Sequence, residues 1–339
     1  MDRSEEWLDW ITTQMFGLMH NIETDNFDGR RYAGQDPRVF AYQSHASYFS
    51  FLRRNTRSFV AARDLLFDQE SKDLFDRLVL FRLLGHLHVR LPFNSAQARN
   101  YASSVNQWRV EDTVDSGALG RLSIFAIPLG EDVLCMKCWD GNIAANLLLR
   151  QYYFDRGGMR VAPALGECAL DVGACFGDTA LFFARDVGKS GTVHTFDPMP
   201  RHCEIMRENF EMNPLLADRI TLHAYGLSDS DRDATAIRSG IDPGARIGED
   251  LPTRKLDSLN LPRVDYIKMD VEGSELAALK GGEQTILRSK PKLAISIYHR
   301  PEDFFTIPLW IEGLKCGYRF FLGHYSMHHE ETVLYAAVA

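Results

Sequence analysis

The chain has 339 residues, of which 45% are hydrophobic and 25% charged, and these fractions are typical of a globular protein. Its formal net charge of -8 argues against a general affinity for nucleic-acid phosphates or anionic membranes. No segment approaches the ~18 consecutive apolar residues of a membrane helix, and the acidic, polar start does not resemble a secretory signal. We therefore expect a cytoplasmic protein that binds neither nucleic acid nor membrane.

The amino-terminal part carries helical signals up to about residue 115. Apolar residues recur close to a 3.6-residue period over residues 68–91, and Pro92 then favours the end of a helix. The run over residues 38–57 is basic and aromatic, which favours a partly buried amphipathic helix over a substrate surface. We predict a helical region over 1–115, serving as a lid with acceptor specificity or for oligomerisation, and a catalytic domain over 116–339.

From about residue 118 the hydrophobic period changes to two. Residues 121–128 and 132–139 predict a β-hairpin, in which Cys135 and Cys138 would point to opposite faces. Neither a second cysteine pair nor a nearby histidine completes a zinc site. We therefore expect these cysteines to be reduced and structural.

Beyond a helix predicted at 141–153, strands and helices alternate. We predict strands at 167–172, 192–197, 219–224, 264–269 and 292–298, and helices at 178–187, 200–212, 274–288 and 302–315. Two final strands, 317–323 and 331–338, are expected to form an antiparallel pair. Such alternation is typical of a mostly parallel sheet covered by helices on both faces, with ligands bound over the carboxyl ends of the strands.

The most informative segment is Leu170-Asp171-Val172-Gly173-Ala174-Cys175-Phe176-Gly177-Asp178-Thr179. It combines a buried strand, a glycine turn and a helix start, and a second strand ends in Asp197, twenty residues beyond Gly177. This spacing is typical of a nucleotide-binding α/β unit whose distal carboxylate holds ribose hydroxyls. The glycines do not follow G-x-G-x-x-G, and the flanking carboxylates would repel a pyrophosphate but attract an ammonium and a sulfonium. S-adenosylmethionine is such a ligand.

Each residue of this segment has an expected role, although turn geometry alone would also require the glycines. The glycines and Ala174 let the backbone approach the methionine part of the cofactor. Asp171 is expected near its ammonium, and Asp197 is expected to take both ribose hydroxyls. Asp178 and Thr179 would act first as helix caps and second as ligand contacts. The predicted cofactor-binding set is Asp171, Gly173, Ala174, Gly177, Asp178, Thr179, Asp197, Ser228 and Asp270.

A second acidic cluster surrounds the end of the strand at 264–269. Alternation places Lys268 and Asp270 on one face of the strand, with Asp270 at its end beside the cationic part of the cofactor. Glu272 and Glu275 open the next helix, where acids also stabilise the helix dipole. Capping is favoured for Glu275, whereas capping and catalysis stay equally open for Glu272.

Two histidines near later strand ends are candidates for a general base. His299 follows the strand at 292–298, which would place its imidazole beside the transferred methyl group. His324 lies between the last two strands, in a segment that could fold over the same pocket. Histidine suits removal of a hydroxyl proton near neutral pH. The predicted catalytic set is His299, Asp270, Glu272 and His324; since no metal-ligand spacing is present, no metal is expected.

Together these motifs resemble the FkbM family of S-adenosylmethionine-dependent methyltransferases. The resemblance covers roughly residues 118–339. It implies a class I methyltransferase (Rossmann-like) α/β fold, with a mostly parallel seven-stranded sheet and an antiparallel C-terminal strand. It also implies O-methylation of sugar or natural-product hydroxyls. Asp197 stands where the family usually has a glutamate, which keeps the carboxylate. The matching motifs are Leu170-Asp171-Val172-Gly173-Ala174 with Gly177-Asp178, Phe196-Asp197-Pro198, Leu256-Asp257-Ser258-Leu259, and Tyr266-Ile267-Lys268-Met269-Asp270-Val271-Glu272-Gly273 with Glu275 and Leu279-Lys280-Gly281.

We therefore expect an S-adenosylmethionine-dependent O-methyltransferase acting on a hydroxyl of a sugar, a glycan or a natural-product small molecule. An NAD-linked oxidoreductase, a methyltransferase acting on an amine or nucleic acid, and a non-catalytic adenosyl-binding protein stay open. Methyltransferases of base amino groups commonly carry Asn or Asp, then Pro-Pro and an aromatic residue, after the fourth strand. Asp270-Val271-Glu272-Gly273 in that place favours a hydroxyl acceptor. The expected partner is this acceptor, and a homo-oligomer stays open.

Overall fold

The computed structural model describes residues 2–23, 42–115, 119–233 and 251–338. The chain divides into two compact units: Met1–Asn100 with Ile297–Leu334, and Tyr101–Ser296 with Tyr335–Ala339. This division differs from the predicted boundary at residue 115, because a late stretch of the chain packs with the amino-terminal helices. Separate roles for the two predicted regions stay a prediction.

The described helices vary widely in length, and a π-helix, Ile143–Leu148, and a 3-10 helix, Leu256–Leu259, accompany them. In chain order the α-helices are α1 (Arg3–Leu18), α2 (Tyr42–Leu65), α3 (Gln69–Leu84), α4 (Ser95–Asn106), α5 (Asp140–Asn142), α6 (Asp178–Val187), α7 (Pro200–Glu211), α8 (Pro214–Ala217), α9 (Glu275–Gly281), α10 (Glu283–Ser289) and α11 (Asp303–Gly313). Within the described ranges, no helix combines the length and apolar character needed to cross a membrane.

The described strands form one large sheet and three small ones. In chain order they are β1 (Arg109–Asp115), β2 (Arg121–Leu129), β3 (Asp132–Cys138), β4 (Phe154–Arg156), β5 (Met159–Val161), β6 (Cys168–Val172), β7 (Thr192–Phe196), β8 (Ile220–His223), β9 (Gly226–Leu227), β10 (Thr253–Arg254), β11 (Tyr266–Met269), β12 (Lys292–Ser296), β13 (Tyr318–His324) and β14 (Thr332–Val338).

The first unit is mainly helical. Asp68 is the N-cap of α3, and its carboxylate accepts the Ser71 backbone N–H at 2.8 Å. The many buried apolar residues of α3 confirm the predicted period. α2 confirms the predicted amphipathic helix, with Leu52 and Phe59 fully buried. Residues 38–41 of that prediction lie outside the described residues.

A buried ion pair ties the amino-terminal helices together. Asp76 of α3 accepts hydrogen bonds from Nε and a terminal nitrogen of Arg63 at 2.7 and 2.8 Å, and from the Trp7 indole at 2.8 Å. Asp76 is only 4% exposed, so these three donors replace the water it loses on folding. The contact to Asp76 raises the pKa of Arg63 and keeps its guanidinium charged.

The main sheet has seven strands in the order β13-β14-β12-β11-β6-β7-β8. The five strands from β12 to β8 are parallel to one another. β13 and β14 are neighbours joined by residues 325–331 alone, too few for a parallel crossover, so they run antiparallel. This arrangement confirms the predicted class I methyltransferase (Rossmann-like) α/β fold, whose ligand sites lie at the carboxyl ends of the strands.

The predicted β-hairpin is confirmed as β2 and β3, which pair from Ser123↔Cys138 to Leu129↔Asp132. A third strand joins it: residues 109–115 form β1 and pair with β2, so the prediction of helix up to residue 115 is wrong there. The hairpin buries its apolar face against α6 and α7, where Phe125, Met136, Leu181 and Ile205 share one core.

Two predicted helices are shorter than expected. The helix at 141–153 gives way after Leu148, and residues 154–161 form the β4–β5 hairpin instead. The helix at 274–288 is divided into α9 and α10. A Cβ at Gly281 would lie 1.9 Å from the Ser228 carbonyl oxygen, and one at Gly282 would lie 2.9 Å from Leu256. The division therefore coincides with a glycine pair pressed against neighbouring chain segments.

Candidate functional site

The candidate site lies in the second unit, where the parallel strands β11, β6 and β7 end side by side. After β6 the chain turns close to both neighbours, and the N–H groups of Gly173 and Ala174 donate to the Phe196 carbonyl at 2.9 and 3.1 Å. Gly173 has a φ of +80°, and a Cβ there would lie 1.7 Å from the Asp270 carbonyl oxygen. Only glycine therefore fits at the centre of the site.

The second glycine of the motif meets side chains rather than backbone. Gly177 has a φ of +76°, and a Cβ there would lie 2.9 Å from Met206 Cγ and 3.0 Å from the Phe210 ring. Since side chains yield more easily than a strand end, this position tolerates change better than Gly173.

Asp171 is fully buried near the end of β6, and two side chains of the same chain approach it. Thr179 donates its hydroxyl to Asp171 Oδ2 at 2.6 Å, and Lys268 Nζ lies 3.0 Å from Oδ1. Lys268 also donates to the Gly173 carbonyl at 2.5 Å, which fixes the glycine turn. A contact between Asp171 and a cofactor ammonium stays a prediction, while its bonds to Lys268 and Thr179 already give it a structural role.

Lys268 is the buried cation of the site. Burial alone would lower its pKa, but Asp171 and Asp270 outweigh that effect and raise the pKa. Its Nζ also lies 5.1 Å from the centre of the Tyr152 ring. The ammonium thus stays charged and offsets part of the surrounding negative charge.

Asp197 follows β7 and is held by donors from its own chain. Its Oδ1 accepts the Met199 N–H at 2.9 Å, and its Oδ2 accepts the Cys175 N–H at 3.0 Å. Nδ1 of His202, in the first turn of α7, lies 3.1 Å from both oxygens. Asp197 and His202 are each 5% exposed. These donors replace the water that the buried carboxylate loses on folding.

Asp270 directly follows β11 and is partly exposed. The Tyr152 hydroxyl donates to its Oδ2 at 2.7 Å, and its backbone N–H donates to the Val172 carbonyl at 2.9 Å. The second bond ties Asp270 to the end of β6. The structure thus brings Asp171, Gly173, Asp197 and Asp270 to one edge of the sheet.

The next two acids differ sharply in exposure. Glu275 is fully buried, and its Oε1 accepts the N–H groups of Val271 and Gly273 at 2.8 and 3.4 Å, both in the turn before α9. A capping role for Glu275 stays a prediction. Glu272 is exposed, with a φ of +53°, an uncommon conformation for a residue with a side chain. A catalytic role for Glu272 stays a prediction.

Asp178 and Thr179 do not act as helix caps. Besides the contact of Thr179 with Asp171, Asn142 and Asn146 donate to the two Asp178 oxygens at 3.1 and 2.6 Å. Burial raises the pKa of Asp178, and the two amides oppose the rise. The capping prediction is wrong because the segment at 140–148 supplies better partners than the helix backbone.

Ser228 lies beyond β9, with its backbone N–H donating to the Arg254 carbonyl at 3.0 Å. Its carbonyl oxygen lies close to Gly281, where α9 and α10 separate. Ser228 thus has a clear packing role, and its role in cofactor binding stays a prediction.

The two candidate bases belong to the first unit. His299 is partly exposed, and its ring centre lies 4.1 Å from that of Tyr298. His324 is only 7% exposed, and its Nδ1 lies 2.9 Å from the Thr332 hydroxyl. Burial, with a smaller effect of the Arg82 charge, lowers the pKa of His324 to about 3. His324 is therefore a weak base; His299 is partly exposed as a residue, but both of its ring nitrogens are buried.

Comparison with known proteins identifies the domain that holds this site. The model of the methyltransferase FkbM domain matches residues 171–320, a stretch that begins at Asp171 and includes Gly173, Asp197 and Asp270. The chain carries a methyltransferase FkbM domain. No curated protein sequence matches the chain significantly.

One solved structure supports this fold. A methyltransferase FkbM from Methylobacillus flagellatus KT aligns with a TM-score of 0.54 and 21% identity, over 85% of this chain and 60% of its own. This chain thus spans less than two thirds of that protein. A putative rRNA-methylase from Clostridium thermocellum aligns with a TM-score of 0.38 and 12% identity, over 52% of this chain and 90% of its own. A SAM-dependent methyltransferase from Aquifex aeolicus aligns with a TM-score of 0.34 and 16% identity, over 56% of this chain and 86% of its own. Both are too distant to carry an argument.

Several polar residues of the FkbM domain site have no clear sequence signal. Tyr152 and Asn146 lie before the glycine turn, in a stretch predicted as plain helix. The π-helix at Ile143–Leu148 accompanies the amide contacts to Asp178, and π-helical turns are frequent at functional sites. His202 follows Asp197 by five residues, and only its place in the first turn of α7 links the two.

Proposed function

We propose that this domain transfers a methyl group from S-adenosylmethionine to a hydroxyl of a sugar, a glycan or a natural-product small molecule. The observation that carries the proposal is the glycine turn at Gly173, flanked by the carboxylates of Asp197 and Asp270 at adjacent strand ends. The match to a methyltransferase FkbM domain supports the reaction type.

The charges of the site suit this cofactor. S-adenosylmethionine carries an ammonium, a sulfonium and a ribose diol, while the site gathers four acids around one buried lysine. A dinucleotide would have to place its pyrophosphate in the same negative field, which Coulomb repulsion disfavours. The acids are Asp171, Asp178, Asp197 and Asp270, and the lysine is Lys268.

When bound, the cofactor supplies a methyl group attached to a positively charged sulfur. In the proposed assignment Asp197 binds the ribose, and the backbone at Gly173 and Ala174 accommodates the methionine part. Asp270, oriented by the Tyr152 hydroxyl, faces the cationic end. The main contribution of these residues is to hold the reacting groups at a near-attack distance of ~3–3.5 Å.

A hydroxyl acceptor is supported by the sequence after β11, Asp270-Val271-Glu272-Gly273, which lacks the Pro-Pro-aromatic pattern common among methyltransferases of base amino groups. A hydroxyl loses its proton as it attacks, so a base is needed. His299 is the preferred candidate, because His324 is buried and has a pKa of about 3. Proton removal by a positioned base contributes ~10²- to 10⁴-fold to the rate.

Transfer from methyl-labelled cofactor to panels of glycans, nucleotide sugars and natural-product hydroxyls tests the proposal, with ribosomal and transfer RNA in parallel. We expect label on a hydroxyl acceptor and none on RNA. His299→Ala should then lower turnover by about 10²-fold or more. The matched control is His329→Ala, whose side chain is 52% exposed, and it should leave turnover unchanged. Label on RNA alone would contradict the proposed acceptor class.

A further inference from the structure

The contact between His202 and Asp197 leads to an inference that goes beyond the proposed function and rests on it. We propose that His202 is a positioning residue: it fixes the orientation in which the Asp197 carboxylate accepts a ribose hydroxyl of the cofactor. The residue reaches the cofactor only through Asp197, so its role differs from that of a contact residue.

The hydrogen bonds of Asp197 show what His202 adds. Cys175 and Met199 each donate one backbone N–H to one carboxylate oxygen, at 3.0 and 2.9 Å. His202 Nδ1 lies 3.1 Å from both oxygens and bridges them. The terminal torsion of an aspartate has a broad minimum, so a bridging donor restricts the rotation of the carboxylate. His202 therefore sets the plane of the two oxygens that would accept a ribose hydroxyl.

The acceptor positions of Asp197 limit the number of ribose hydroxyls that it can bind. An ionised carboxylate offers about four lone-pair positions. Cys175 and Met199 use one position on each oxygen, and the single Nδ1 of His202 is shared between the two oxygens. A ribose hydroxyl would therefore have to share an oxygen with His202, so we expect Asp197 to accept one ribose hydroxyl rather than the two expected from the sequence. One hydroxyl should consequently contribute much more to binding than the other.

The surroundings of His202 indicate that the residue serves Asp197 alone. Asp197 is the one hydrogen-bond partner of the imidazole among the described residues, and Nε2 is buried without a partner. The Phe176 ring packs edge-on against the imidazole, with ring centres 5.6 Å apart. A buried polar atom without a partner is unfavourable. A side chain that keeps such an atom solely to contact Asp197 is best explained by its effect on Asp197.

The test measures binding of S-adenosylhomocysteine and its 2′-deoxy and 3′-deoxy analogues by calorimetry. The parent chain should bind one deoxy analogue about tenfold to hundredfold more weakly than the parent ligand, because a bond to a charged oxygen is lost. His202→Leu should reduce that ratio to within about threefold, since the carboxylate is no longer oriented. His202→Asn, whose amide nitrogen replaces Nδ1, should restore most of the ratio.

The ratio between ligands separates positioning from general stability. Asp76→Asn, in the first unit, is a control that weakens a different buried ion pair and should leave the ratio unchanged. If His202→Leu does not fold, His202→Gln takes its place. An unchanged ratio in these variants, or tighter binding of the parent ligand, would overturn the assignment of His202. Failure of the parent chain to bind S-adenosylhomocysteine would instead overturn the proposed function itself.

Discussion

The close approach of the glycine turn to β11 can be tested with three glycines that share a positive φ. Gly158, Gly177 and Gly173 have φ values of +74°, +76° and +80°. An added Cβ would meet nothing within 4 Å at Gly158, side chains at 2.9–3.1 Å at Gly177, and the Asp270 carbonyl oxygen at 1.7 Å at Gly173. Replacing each by alanine therefore places a side chain at a similar positive φ in all three variants, while the space for the methyl group differs greatly.

The expected losses of unfolding free energy follow from these distances. Alanine in a left-handed conformation costs about 1–2 kcal/mol, which is the whole effect at Gly158. Crowding adds about 1–3 kcal/mol in a packed interior. Gly177→Ala should lie at the lower end of that range because Met206 and Phe210 can shift. Gly173→Ala should lie at the upper end, for a total of about 3–5 kcal/mol, because Asp270 is tied by its N–H to Val172.

Urea unfolding of the three alanine variants measures these losses, and binding of S-adenosylhomocysteine measures the effect on the site. We expect the order Gly158, Gly177, Gly173 for the loss of stability and a loss of ligand binding for Gly173→Ala alone. If Gly173→Ala were no more destabilising than Gly158→Ala, the close approach between the turn and β11 would be refuted.

Three further predictions concern buried charges. Asp76→Ala should cost about 3–5 kcal/mol in urea unfolding, because Arg63 loses its buried partner; a loss below about 1 kcal/mol would contradict this. Lys268→Met should cost a similar amount, and a double variant that also carries Asp171→Asn should recover part of it, because both buried charges are then absent. His324 has a pKa of about 3 in the folded chain and about 6.5 in the unfolded chain. Between these values the unfolded chain binds a proton that the folded chain does not. The free energy of unfolding should therefore fall as the pH drops from 6.5 towards 3, by at most about 4–5 kcal/mol. In His324→Asn the unfolding midpoint should depend less on pH in that window, and equal slopes would contradict the assignment.

The central strands could be predicted closely from the sequence because strands buried on both faces appear as nearly continuous apolar runs. β6, β7, β11 and β12 match the predicted strands to within two residues at each end. The position of the site at their carboxyl ends then follows from a general rule for parallel sheets.

The sequence did not predict features that depend on contacts between residues distant along the chain. Residues 109–115 form a strand because β2 offers a pairing edge, which a local helical pattern does not reveal. α9 and α10 separate where Gly281 meets Ser228, a contact that no period shows. The cap prediction for Asp178 was wrong because Asn142 and Asn146 approach it from an earlier segment.

Calorimetric titration with S-adenosylhomocysteine tests the central claim, that the carboxyl edge of β6, β7 and β11 binds this cofactor. We expect the parent chain to bind it and Asp197→Ala to weaken binding by about tenfold or more. Glu211→Ala removes an exposed acid at the end of α7 and should leave the affinity unchanged. Absence of binding by the parent chain, or equal affinity in Asp197→Ala, would contradict the account.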